Sequence, residues 1–281
     1  MIIKFCRFHV TVIILAVLTV GFVVGVCTDS IAVISTVKKE ITLPVITYGK
    51  VTENDLYVDE CITADDFEND LDYLSDMGYE TVLPIDIVRF ASGEEALPAK
   101  PVMLTFDEAY TSISKTARPL LEKYAMKASI FAATCIVDSA DGCGEYMDWK
   151  MLNELAESGI FSIESASHNM NSINYRRKAM LRNEGESVWE YEKSVYDDVT
   201  ASLNKIALNT GANPVALKFP FGLYSAQTVE AVQKAGVSVA FTNEEKLNVI
   251  NNADFGQLLE IGRFKRSGAV STAIFFDRVG I

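Results

Sequence analysis

Histidine is nearly absent: His9 and His168 are the two in 281 residues. A catalytic zinc ion normally takes three protein ligands, mostly imidazoles, and general acid or base work near neutral pH leans on the same side chain. Metal-hydrolase chemistry in this chain must therefore draw on other donors. Basic charge is also short. The chain has 25 lysines and arginines against 38 aspartates and glutamates, a formal net charge of -13 at pH 7. That sign excludes the usual nucleic-acid binder, which gains affinity by releasing counterions from phosphates. Internal repeats and low-complexity linkers are missing too. With 49% hydrophobic residues, the chain is too apolar to stay disordered.

What is present begins with residues 10–27, VTVIILAVLTVGFVVGVC, an unbroken run without charge. Its length as a helix, roughly 27 Å at about 1.5 Å per residue, matches the hydrocarbon thickness of a bilayer. Nothing on it is polar enough to give a soluble helix an outer face. The run ends Val24, Gly25, Val26, Cys27 rather than in the small residues of a cleaved signal, so an uncleaved anchor is expected. Val26 is bulky where a lipoprotein signal wants a small residue, so Cys27 reads as a membrane cysteine. Lys4 and Arg7 precede the run and every acidic residue follows it, which puts the N-terminus inside by the positive-inside rule. The expected organisation is a cytoplasmic N-terminus (1–9), a transmembrane anchor (10–27), a stalk (28–41) and one extracytoplasmic domain (42–281).

Beyond the anchor stand Cys61, Cys135 and Cys143. Their odd number allows one disulfide, with Cys135 and Cys143 the nearest pair, or free thiols throughout. From residue 42 on, short apolar runs alternate with amphipathic stretches. Strands are expected at Leu43–Tyr48, Glu80–Leu83, Pro101–Phe106, Ala128–Ala133, Ile160–Ser165, Pro214–Phe219, Val237–Thr242 and Leu258–Ile261. Tyr191, Val195, Val199, Leu203 and Ile206 recur at three- and four-residue steps and predict a helix over about 188–208, ended by Gly211 and Pro214. Thr63, followed by Asp65 and Asp66, reads as a capped helix start. Such alternation predicts one α/β domain with a parallel sheet; periodicity does not separate a barrel from an open sheet. In either, chemistry belongs at the C-terminal ends of strands.

Two strand ends carry candidate chemistry. PVMLTFDEAY (101–110) ends in Asp107 and Glu108. Two neighbouring acids there can divide the work of base and metal ligand, or simply favour a helix N-terminus. KFPFGLY (218–224) follows another strand. Pro220 and Gly222 set a tight turn whose backbone N–H groups can serve as an oxyanion hole, with Phe221 and Tyr224 as an aromatic wall, or form an ordinary loop.

These segments, with LPVITY, TADDFENDLDYLSDMGYETV, ARPLLEKYAMKASIFA, SIESASHNMNSI and IGRFKR in order, resemble the polysaccharide deacetylase family, also called the NodB-homology domain. The resemblance covers most of the domain. It implies a distorted (β/α) barrel that binds one divalent metal, usually zinc, and removes acetyl groups from chitin-like or peptidoglycan sugars. The family motif Thr-Phe-Asp-Asp-Gly makes Asp107 the general base and Glu108 the metal ligand. Lys218 stands where many relatives have an arginine that pairs with the base. Phe221 would offer its N–H to the oxyanion, Arg263 would cover the same cleft, and Pro220, Gly222 and Tyr224 would line the substrate.

The motifs also depart from the family pattern. Glu108 is longer than the expected aspartate by one methylene, and Ala109 replaces a glycine. The family writes Ser-His-Thr with a second histidine four or five residues after the first. Counting without a gap puts Ala166 at the first position and Met170 or Asn171 at the second; sliding by two makes His168 the first and Ser172 the second. Gly49 stands where relatives often have histidine, and no histidine follows residue 168. Two functions are therefore expected as alternatives. One is a metal-dependent deacetylase, impaired by ligand loss, with Glu108 and His168 holding the metal. The other is a non-catalytic domain that binds a cell-wall glycan or an envelope protein.

Overall fold

The computed structural model describes residues 40–53, 61–174, 177–252 and 254–281. The expected anchor at 10–27 lies outside the described residues. Among the described residues, no helix is long and apolar enough to cross a membrane. Residues 40–281 form one compact unit.

Among the described residues twelve strands run through it: Glu40–Leu43 (β1), Val45–Tyr48 (β2), Lys50–Thr52 (β3), Cys61–Thr63 (β4), Glu80–Thr81 (β5) and Pro101–Asp107 (β6). Ala128–Ala132 (β7), Phe161–Ser165 (β8), Ala216–Lys218 (β9), Val239–Phe241 (β10), Asn248–Asn251 (β11) and Phe264–Lys265 (β12) follow. The main sheet has the order β10-β9-β8-β7-β6-β2-β12, with β5 against β6, and every pairing in it is parallel. It is a curled half-barrel with helices around it. One short segment touches both of its edges, since Ile261 bridges to Phe241 of β10 and Phe264 pairs with Ile46 of β2.

Pro44, which has no N–H for a ladder, splits the first expected strand into β1 and β2. β1 takes in Glu40 and Ile41, the last residues of the expected stalk, and pairs antiparallel with β11. The long helix is Val188–Thr210, opened by a capping box between Ser187 and Glu190 and closed by Gly211 at φ 64°. Thr63 caps Ala64–Asp76 by accepting the Asp66 N–H. The expected strand Leu258–Ile261 is a correction: Gly256–Glu260 is a 3-10 turn. Its two leucines are buried, and so short an apolar run carries no period that separates strand from helix. Of the two states left open for Cys61, Cys135 and Cys143, the structure has the free thiols.

Strand alternation decides which side chains face inward. Along β6, Val102, Leu104 and Phe106 pack outward with Ile130, Ala132 and the helix residues Phe67 and Leu71. Met103 packs inward with Val45, Phe131, Ala216 and Phe241. With a period of two, Asp107 falls on the side of Met103 and Lys218 on the side of Ala216. Both thus reach the C-terminal rim of the half-barrel's interior.

Candidate functional site

A cavity of about 600 Å³ opens at that rim, lined among others by Thr47, Asp107, Glu108, Asn171, Lys218, Phe221 and Arg263. β6 delivers the two acids, β9 the lysine, and the segment that joins the sheet's edges delivers the arginine.

Arg263 is almost fully buried. Its Nη1 and Nη2 donate to Asp107 Oδ1 at 2.6 Å and Oδ2 at 3.3 Å. Its other donors reach the Thr242 carbonyl, Thr47 Oγ1 and Asn243 Oδ1. Burial alone would raise the Asp107 carboxyl; the Arg263 guanidinium and then the Lys218 ammonium outweigh it and hold that carboxyl down at about 2. Lys218, 6% exposed, donates to Glu108 Oε1 at 3.0 Å and lies 3.7 Å from Asp107 Oδ2. Asn171 Nδ2 donates to the same Glu108 oxygen at 2.9 Å.

Backbone strain gathers around this rim. Glu108, Ser167 and Phe221 all adopt left-handed φ, at 69°, 76° and 58°, a conformation that costs a side-chain-bearing residue on the order of 1 kcal/mol. At Phe221 the turn leaves the residue 51% exposed at the cavity. Gly222 follows at φ 68°, and a Cβ there would meet Asn243 at 3.0 Å, so that turn needs glycine. Tyr110 and Tyr146 stack with ring centroids 5.2 Å apart and also line the cavity, with Lys50 over the Tyr110 ring.

Asp107, Glu108, Lys218, Phe221 and Arg263 thus line one cleft. Pro220 is buried beneath the turn, and Tyr224 stacks on Phe219 at 4.3 Å; neither they nor Gly222 line the cavity. His168 is also outside it. Its Nδ1 is 2.8 Å from Thr134 Oγ1, and its N–H and that of Asn169 are held by Asp198 of the long helix. The cause is Ser167: its left-handed turn breaks the extended alternation that would have put His168 on the face of Ala166. Asn171 is the residue that turns back into the cleft, which is the ungapped register. Tyr110 is a cleft residue that adjacency to the two acids could have flagged, whereas nothing in the sequence pointed to Tyr146 or Asn243.

A zinc ion does not fit these side chains. Ala166, at the first imidazole position, is a fully buried methyl, and Asn171 at the second turns its amide nitrogen, a donor, toward Glu108. Among the described residues no three of His, Cys, Asp and Glu converge. The Lys218 ammonium already sits on the one carboxylate meant for the metal. A divalent cation would have to share that oxygen with it.

Residues 94–240 match the model of the family described as polysaccharide deacetylase. The Bacillus subtilis protein YxkH is 27% identical over 208 residues, 74% of this chain and 66% of that protein. The poly-beta-1,6-N-acetyl-D-glucosamine N-deacetylase of Staphylococcus epidermidis is 24% identical over 186 residues, 66% of this chain and 62% of that enzyme. The chain spans less than two thirds of the length of either. The solved structure of the Streptococcus pyogenes deacetylase PplD in complex with acetate superposes with a TM-score of 0.69 at 20% identity, over 85% of this chain and 98% of that one. That likeness is one of fold.

Proposed function

The chain belongs to the polysaccharide deacetylase family, and from that premise we propose that it holds an amino-sugar polymer of the cell wall, peptidoglycan or chitin-like, in the rim cleft without metal-dependent hydrolysis. The observation that carries this reading is the Lys218 ammonium 3.0 Å from Glu108 Oε1. Asp107, held at about 2, is a poor proton acceptor near pH 7, because base strength falls with pKa. The parts that hold a sugar line the same cavity: half-exposed Phe221, the Tyr110–Tyr146 stack, and the amides of Asn171 and Asn243.

In this reading residues 10–27 anchor the chain in the membrane, the barrel projects outside the cell, and the wall glycan is its partner. That the Staphylococcus epidermidis relative is a poly-beta-1,6-N-acetyl-D-glucosamine N-deacetylase supports an amino sugar as ligand. The net charge of -13 disfavours anionic wall polymers. The test titrates the full chain with N-acetylglucosamine oligomers of β-1,4 and β-1,6 linkage by calorimetry in the presence of chelator, alongside an acetate-release assay in excess zinc. Saturable binding with no acetate above the blank is expected. Acetate release that rises with zinc and depends on Asp107 would replace this reading with the hydrolytic one.

A further inference from the structure

The disagreement between the family's metal and this cleft leads further, on the reading that the cleft binds glycan. We propose that Lys218 and Glu108 together read the acetamido group of the sugar, the Lys218 ammonium binding its carbonyl oxygen with no metal ion present.

The geometry is that of a donor beside an acceptor. Lys218 has three N–H donors; one goes to Glu108 Oε1, and Asp107 Oδ2 at 3.7 Å is beyond hydrogen-bond distance, so donors remain in a residue that lines the cavity. Glu108 uses Oε1 for both Lys218 and Asn171, and its Oε2 is engaged by neither. A secondary amide presents the complementary pair, a carbonyl oxygen that accepts from the ammonium and an N–H that donates to the carboxylate. An O-acetyl ester has only the first.

Charge points the same way. The cavity wall carries Asp107, Glu108 and Glu245 against Lys218, Arg263 and Lys265. Such a balanced wall offers no net attraction to a carboxylate or phosphate and suits a neutral dipolar group. A deacetylated sugar would bring its own ammonium toward Lys218. The acidic surface of the whole chain would nevertheless draw a cationic glycan in, so a preference for the acetylated form would have to come from the cleft itself.

The experiment compares N-acetylglucosamine tetramer with its fully deacetylated counterpart by calorimetry on the full chain, with chelator and again with excess zinc. Wild type should bind the acetylated tetramer at least tenfold more tightly, with the same affinity in both buffers. Lys218→Met should lose at least tenfold for the acetylated tetramer and erase the discrimination. Because that change leaves Glu108 without its cation, the double variant Lys218→Met with Glu108→Gln keeps the site neutral and should show the same loss with an unchanged near-UV spectrum. Wild-type affinity in the double variant, equal binding of the two tetramers, or glycan binding that chelator strips would each overturn the proposal while leaving glycan binding intact. No binding of either tetramer would overturn both.

Discussion

Arg263 grips Asp107 with both arms of its guanidinium, at 2.6 Å and 3.3 Å, across 156 residues of sequence. The carboxyl's folded pKa of about 2 lies below the ordinary value of 3.8. A depressed carboxyl contributes stability that is present above about pH 4 and lost as pH falls through about 2. Asp107→Asn should therefore be less stable than wild type at pH 5, with the gap narrowing between pH 4 and 2. Asp107 is 31% exposed, so screening should hold the change in that gap to within about 1 kcal/mol. Urea midpoints at pH 5 and 2.5 measure it, and a gap that widens on acidification would contradict the assignment.

Glu164 titrates in the opposite sense. Burial pushes its carboxyl up to about 8, although Oε2 accepts the N–H groups of Val215 and Ala216. The folded state then holds a proton that the unfolded chain releases near 4.5, so stability falls as pH rises from about 5 to 8, by up to about 1.4 kcal/mol per pH unit. Glu164→Gln should flatten that slope. Thermal melts at pH 5.5 and 8 decide it.

Asp70 and Arg266 form a second internal ion pair, fully buried, with Nε to Oδ2 at 2.7 Å and Thr272 Oγ1 donating to Oδ1 at 2.7 Å. Removing one partner strands a charge, and Arg266→Met should cost roughly 3–5 kcal/mol. Arg266→Met combined with Asp70→Leu should recover much of that in urea denaturation.

Phe221→Gly should lower glycan affinity with little change in stability. Glycine accepts the φ of 58° without the cost of about 1 kcal/mol that phenylalanine bears there. The half of the residue that is buried contributes about 1 kcal/mol, which its removal forfeits and which offsets that relief. A melting temperature that drops markedly, or an unchanged affinity, would count against the strained turn as a sugar platform.

Ligand restoration separates the two registers. Glu108→Asp with Ala166→His and Asn171→His should take up zinc, and adding Lys218→Met should tighten it. Ser172→His should not, because Ser172 is exposed and His168 is turned to Thr134. Elemental analysis after dialysis distinguishes them; zinc in the second variant alone would place His168 in the site.

Much of the domain was legible in the sequence because alternation and capping are local. β6, β7 and β8 lie within one residue of their expected ends, and Gly211 closes the long helix where its chemistry predicts. The two acids were legible for the same reason, at the end of a strand, whereas Lys218 and Arg263 were flagged through the family resemblance. What escaped was set by turns and distant packing. A left-handed Ser167 reverses which of two neighbours faces inward, and Leu258 with Leu259 packs as a 3-10 turn as readily as a strand. Tyr146 reaches the cleft only through its stack on Tyr110 and the Tyr110–Tyr146 bridge.

The segment that touches both edges of the sheet carries a kinetic consequence. Arg263 and Arg266 flank β12, while their carboxylates sit 156 and 196 residues earlier. On a ribosome that releases the chain from its N-terminus, Asp107 and Asp70 emerge long before either counter-ion exists. The helix of Asp70 and the strand of Asp107 can collapse, but neither carboxylate can be sealed in until the arginines arrive. Folding of this domain is thus gated by the completion of synthesis, and a nascent chain stalled before residue 263 should remain open to protease however much of its sheet has already been made.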